Sequence, residues 1–122
     1  MVSTSVQVLL AEDEPICRTM VTAMLKKQGA ILTATENGAE CLKEFTANPK
    51  KYKLILMDIQ MPTMDGYEAT TGIRKIDKKI KIIGLSGDSD EDTKENALKC
   101  GMSSVMSKPL KATDIQSILK AL

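Results

Sequence analysis

Histidine and tryptophan are absent from this 122-residue chain, and its aromatic side chains are one phenylalanine and two tyrosines. Without histidine the chain cannot itself be a phosphohistidine donor. With no close cysteine pair either, a zinc site has no ligand set. Cys17, Cys41 and Cys100 are odd in number and scattered. That fits a reduced compartment rather than a disulfide framework, and each is expected to pack as a small core or surface residue. Apolar runs are short, far below the roughly 20 residues of a membrane span, and Met1-Val2-Ser3-Thr4-Ser5 lacks the basic and apolar regions of a signal peptide. Seventeen basic and 16 acidic residues leave a net charge of +1, which singles out neither nucleic acid nor an anionic membrane as a partner.

What is present is a regular alternation. With 43% hydrophobic and 27% charged residues, the length suits a single domain, residues 1–122, with one core. Val6 to Leu10 reads as a buried strand. Pro15 to Gln28 reads as a helix with Cys17, Met20, Val21, Met24 and Leu25 on its core stripe, ended by Gly29. Ile31 to Thr35 is a second strand, and Asn37 to about Ala47 a helix burying Cys41, Leu42 and Phe45. Leu54-Ile55-Leu56-Met57, the most hydrophobic strand, belongs at the sheet centre. Asp65 to Ile76 predicts a helix and Ile80 to Leu85 a strand. Ser89 or Asp90 can cap the next helix, and Asp90, Glu91 and Asp92 suit its positive end. Val105-Met106 is a short fifth strand. Ala112 to Leu122 closes the chain as a helix with Ile115, Ile118, Leu119 and Leu122 on one face. Strands strictly alternating with helices imply an α/β fold with a doubly wound parallel sheet covered on both faces. The chain ends with the fifth helix, so no output domain is expected.

In such a sheet ligands bind beyond the carboxyl ends of the strands. Glu12, Asp13 and Glu14 follow strand one, Asp58 strand three, Ser86 strand four, and Lys108-Pro109 strand five. Carboxylates crowded on one rim cannot all ionise without a counter-charge. A hard cation held by oxygens supplies one, and magnesium uses one or two carboxylates together with phosphate. A lysine and a hydroxyl beside it can hold the oxygens of a transferring phosphoryl group. Asp58 stands where the oxygen nucleophile of an aspartyl-phosphate would stand.

Leu10-Ala11-Glu12-Asp13-Glu14-Pro15, Leu56 to Gly66 with its Asp-x-x-Met-Pro-x-x-Asp-Gly pattern, Leu85-Ser86-Gly87 and Lys108-Pro109 resemble response-regulator receiver domains in order and spacing. The resemblance covers essentially the whole chain and looks closest to receivers of hybrid histidine kinases. It implies a (βα)5 flavodoxin-like sheet of order 2-1-3-4-5 and a phosphoacceptor role for Asp58 in two-component or phosphorelay signalling. Magnesium or manganese would be held by Asp13, Asp58 and the Gln60 backbone carbonyl, with Glu12 acting through water. Lys108 would pair with the phosphoryl oxygens, Ser86 would move to hydrogen-bond them, and the amides of Ile59 and Gly87 would donate to them. A cis bond is expected before Pro109. The implied partner is a histidine kinase or histidine phosphotransfer protein, docking on the first helix, where Lys26 and Lys27 could contribute. The module would be cytoplasmic, or the cytoplasmic part of a membrane-bound hybrid kinase. It would not bind nucleic acid or membrane directly, and the face from the fourth strand to the fifth helix could pair two receivers on phosphorylation.

This sequence departs from the pattern in places. Glu12 replaces the commoner Asp, Ser86 the commoner Thr, and Gly87 the usual Ala. Gln60 and Asp88 sit where the family tunes phosphoryl lifetime. Val105 stands where many receivers carry an aromatic or histidine rotameric switch, which favours as the alternative a receiver-like interaction module with altered or absent phospho-switching. A phosphohydrolase with an aspartate nucleophile is disfavoured, because the acid such enzymes need two positions on is Gln60. A flavodoxin-like nucleotide binder is disfavoured by acids in the phosphate loop. The chain is thus expected to be a phosphoacceptor that assists its own phosphorylation and dephosphorylation, not an enzyme acting on others. Arg74, Lys75, Lys78, Lys79 and Lys81 read as a solvated loop on the rim opposite the acids. Met20 and Met24 read as core.

Overall fold

Whether a strand residue faces one helical layer or the other follows from its parity, because successive side chains point to opposite sides of a sheet. In a computed structural model, which describes residues 6–61, 63–87 and 90–122, ten elements alternate along the chain. These are β1 (Gln7–Ala11), α1 (Pro15–Lys27), β2 (Ile31–Thr35), α2 (Gly38–Ala47), β3 (Leu54–Asp58), α3 (Gly66–Arg74), β4 (Lys81–Ser86), α4 (Glu91–Cys100), β5 (Ser104–Ser107) and α5 (Ala112–Lys120). Every strand pair is parallel and the sheet order is β2-β1-β3-β4-β5.

Leu9, Ile55, Met57 and Ile82 pack with Cys41, Phe45, Ile73 and Ala97 under α2, α3 and α4. Val8, Leu10, Leu54, Leu56, Ile83 and Leu85 pack with Val21, Leu25, Ile115 and Ile118 under α1 and α5. All five residues of β3 are buried, as befits the central strand. Full burial stabilises each such aliphatic side chain by about 1.5–3 kcal/mol.

The helices begin where the sequence offers a cap. Asn37, Asp65 and Asp90 accept from the amides of Glu40, Glu68 and Thr93 at 2.8, 2.9 and 2.7 Å, so α2 and α3 start one residue later than their apolar period suggests. Asp90 is the cap of α4; Ser89, the other candidate, lies outside the described residues, as do Pro62 and Asp88. Gly101 ends α4 with φ +112, a conformation few side chains tolerate.

Two expectations about core residues fail. Met20 is 50% exposed on α1, whose buried stripe is Val21 and Leu25, with Met24 packed only partly. Leu122 is 43% exposed beyond the end of α5. In the basic cluster Lys75, Lys78 and Lys79 are exposed, but Arg74 donates from Nε to the Gly101 carbonyl at 2.7 Å and ties α3 to the end of α4. The three cysteines are free thiols, Cys41 buried and the others half-buried.

Candidate functional site

The carboxyl ends of β1, β3, β4 and β5 meet on one rim, and parallel pairing carries the same rim across the sheet. Glu12, one residue past β1, extends the ladder: its amide donates to the Thr35 carbonyl at 3.1 Å, and the Thr35 hydroxyl donates to the Leu10 carbonyl at 2.7 Å. Its side chain is fully buried, and Oε2 accepts from the Glu14 amide at 3.1 Å. Glu14 caps α1 by accepting from the Ile16 amide, with Pro15 at the first helical position. Asp13, between these two hydrogen-bonded acids, is exposed.

Asp58 is the last residue of β3 and only 3% exposed. Backbone packs tightly beside it. The Gly66 amide donates to the Ile59 carbonyl at 2.9 Å, and a Cβ on Gly66 would run into the Asp58 carbonyl oxygen and the Ile59 Cα. Only glycine permits that approach. Ser86 closes β4, is 3% exposed, and its carbonyl accepts from the Lys108 amide at 2.8 Å. That bond delivers Lys108 to the cluster. Its Nζ lies 2.8 Å from Glu12 Oε1 and 3.0 Å from Asp58 Oδ2, with the Lys108–Pro109 bond cis, as expected.

Carboxylate oxygens of Glu12, Asp13 and Asp58 all lie within 4.8 Å of one another. One ammonium, paired with Glu12 and Asp58, thus serves a group of three carboxylates. The strain shows in Asp58: burial, then the hydrogen bond and charge of Glu12, push its carboxyl up to about 7 against the opposing pull of Lys108. Burial draws Lys108 down, but the hydrogen bonds and charges of Glu12 and Asp58 outweigh it and hold its ammonium above the ordinary lysine range. Burial, then Glu12, push the Cys17 thiol up as well. An all-oxygen set of clustered carboxylates with too little positive charge fits a hard divalent cation.

The structure brings Glu12, Asp13, Asp58 and Lys108 together, with Ser86 on the adjoining strand end. It redirects one amide. Ile59 N–H, expected to donate to phosphoryl oxygens, donates here to the Leu85 carbonyl at 3.0 Å, prolonging the β3–β4 ladder. The amide that is directed at the Asp58 carboxylate belongs to Gln60, 3.3 Å from Asp58 Oδ1. Gly87 follows Ser86 in an exposed bend. Beyond Ser86 an open cleft of about 450 Å³ is walled by Gln60, Met61, Tyr67 and Thr93. Val105, half-buried, packs against the core beneath α2–α4.

Sequence reading missed Arg18. Its Nη1 donates to the Glu12 carbonyl at 2.9 Å and the Asp13 carbonyl at 3.4 Å, and Nη2 lies 3.6 Å from Glu36 Oε1. An arginine on a helix surface reads as solvated; the only sequence signal was its place one turn past the acids.

The family profile described as the response regulator receiver domain matches residues 8–120. Among curated proteins, the chain is 37% identical over 112 residues to the transcription factor SKN7 of Candida albicans, covering 92% of this chain and 20% of that protein. It is 34% identical over 122 residues to hybrid signal transduction histidine kinase B of Dictyostelium discoideum, covering 89% of this chain and 6% of the kinase. The chain therefore spans a fifth or less of the length of these relatives. Among solved structures, the receiver domain of the sensor histidine kinase PA1611 of Pseudomonas aeruginosa, with a magnesium ion in its active-site cleft, superposes with a TM-score of 0.86. Identity there is 33%, and 97% of each chain is covered.

Proposed function

The chain belongs to the response regulator receiver domain family, and on that premise we propose that Asp58 takes a phosphoryl group from a phosphohistidine with the help of a divalent cation. The observation that carries this reading is Asp58 itself: a buried carboxylate at a strand end, 3.0 Å from a lysine ammonium and grouped with two further carboxylates.

An Asp58 carboxylate oxygen attacks phosphorus, the new O–P bond forms as the N–P bond breaks, and the imidazole leaves with a proton. Asp13, Asp58 and the Gln60 carbonyl would hold magnesium or manganese directly and Glu12 through water. That ion, when bound, supplies the positive charge that lets the carboxylates and phosphoryl oxygens coexist. Lys108, already paired to Glu12 and Asp58, follows the charge onto a phosphoryl oxygen. The Ser86 hydroxyl and the amides of Gln60 and Gly87 donate to the others. Gln60 takes the place first expected for Ile59, whose amide is engaged in the ladder. Water attack on the acyl phosphate later releases the group, so the domain assists both its loading and its unloading.

Residues 1–122 act as a single receiver domain, and the partner is a histidine kinase or histidine phosphotransfer protein. Ile16 and Met20, 69% and 50% exposed on α1, lie next to the acidic rim and offer an apolar footing for it. No helix among the described residues is long and apolar enough to cross a membrane; a cytoplasmic setting, free or within a hybrid kinase, suits a phosphohistidine donor. A second reading rests on Val105, which has no ring to swing: output then runs through another surface, and two receivers need not pair on phosphorylation.

The test is intact-protein mass after incubation with acetyl phosphate and magnesium, beside Asp58→Asn and a chelator control. One phosphoryl adduct that needs both Asp58 and metal supports the reading. Absence of adduct with acetyl phosphate and with a phosphohistidine donor overturns it.

A further inference from the structure

Arg18 reaches back from α1 over the loop that carries the acids. One guanidinium nitrogen bonds two consecutive carbonyls, those of Glu12 and Asp13, while the other faces Glu36 across the β2–α2 loop. Holding both carbonyls fixes the peptide planes on either side of Asp13, and with them the direction of its side chain. Glu12 needs no such help, because it is buried and bonded to the Glu14 amide. Asp13 is the exposed member of the acidic group and the one whose aim depends on its backbone. The arginine side chain is 21% exposed against 66% for Glu36, so the inner end of the clamp is the sheltered one.

We propose that Arg18 is a positioning residue for divalent-cation binding, aiming Asp13 by clamping the Glu12 and Asp13 carbonyls. The proposal rests on the metal-dependent reading above and extends it to a residue that touches neither metal nor phosphoryl group. It makes a claim of sign. Arg18 carries a positive charge near a cation site, so by charge alone its removal would tighten metal binding. By positioning, its removal weakens binding, because groups that orient metal ligands typically matter 10–100-fold in affinity. The sheltered, charge-assisted bond to the Glu12 carbonyl makes positioning the larger effect.

The experiment is calorimetric titration of magnesium into wild type, Arg18→Met and Arg18→Lys. The magnesium dependence of adduct formation with acetyl phosphate is measured in parallel. Methionine keeps the apolar stem and removes every donor; lysine keeps the charge and can reach the same carbonyls. The expected result is about tenfold weaker magnesium binding in Arg18→Met, partial recovery in Arg18→Lys, and a raised half-saturating magnesium concentration with a smaller change in final adduct. If Arg18→Met does not fold by circular dichroism, Arg18→Gln replaces it, with weaker binding again expected. Unchanged or tighter binding in a folded variant overturns the proposal and leaves the receiver reading standing. Wild type that neither binds magnesium nor forms adduct overturns both.

Discussion

Replacing Asp58 by asparagine should stabilise the metal-free protein, and by an amount that depends on pH. The native carboxyl titrates near 7 against 3.8 for an unperturbed aspartate. A difference of about three pKa units, at about 1.36 kcal/mol each, sets a ceiling of about 4 kcal/mol. The pull of Lys108 at 3.0 Å is already contained in that difference, and relaxation and water around the metal-free site lower the ceiling, so the net expectation is about 2 kcal/mol. Below about pH 4 both folded and unfolded chains carry the protonated acid, and the term vanishes. Between about pH 4 and 7 the native state holds a proton that the unfolded state has released, so wild-type stability falls as pH rises. Above 7 the loss is complete. Urea denaturation in chelator at pH 5 and pH 8 reads the effect: Asp58→Asn should gain on wild type across that interval. Magnesium should then narrow the gap at pH 8 by binding wild-type native protein. A variant less stable than wild type at pH 8, or a gap that ignores pH, would refute the reasoning.

Lys108→Met should leave Glu12 and Asp58 facing each other without their ammonium. We expect a loss of about 2 kcal/mol at pH 8 that shrinks at pH 5, read by urea denaturation, and adduct formation slowed by about 10² or more, since an aimed charge is lost. Gly66→Ala would push a Cβ against the Asp58 carbonyl; denaturation should show a loss of about 1–3 kcal/mol, and adduct formation should slow because the nucleophile's strand end moves. Asn37→Ala removes the cap on the Glu40 amide at 2.8 Å and should lower stability by about 1 kcal/mol while leaving adduct formation with acetyl phosphate as it is.

Much of this was legible because burial and strand polarity are written in residue type. Leu54 to Met57 could only be a central strand, and once five strands alternate with five helices, the residue after each strand is a candidate for the rim. Glu12, Asp13, Asp58, Ser86 and Lys108 were found that way. The strand order came from the family resemblance, since alternation alone allows several orders. What stayed hidden depends on where hydrogen bonds go. Ile59 and Gln60 are neighbours, and only the β3–β4 register, pairing Asp58 with Leu85, decides which of their amides is engaged. Met20 sits at core spacing, yet the buried stripe of α1 is Val21 and Leu25, which leaves Met20 at its edge and half uncovered. Arg18 acts on carbonyls, which every residue possesses, so only its place one turn past the acids hinted at it.

The claim that Asp58 is the nucleophile is tested most directly by locating the bond it forms. Protein incubated with acetyl phosphate and magnesium is reduced with borohydride, which converts an aspartyl phosphate to homoserine, and the peptide spanning β3 is sequenced by mass spectrometry. Homoserine at position 58, absent without magnesium, is the predicted result. Reduction at Glu12 or Asp13 instead, or label at position 58 that is indifferent to metal, would contradict the account.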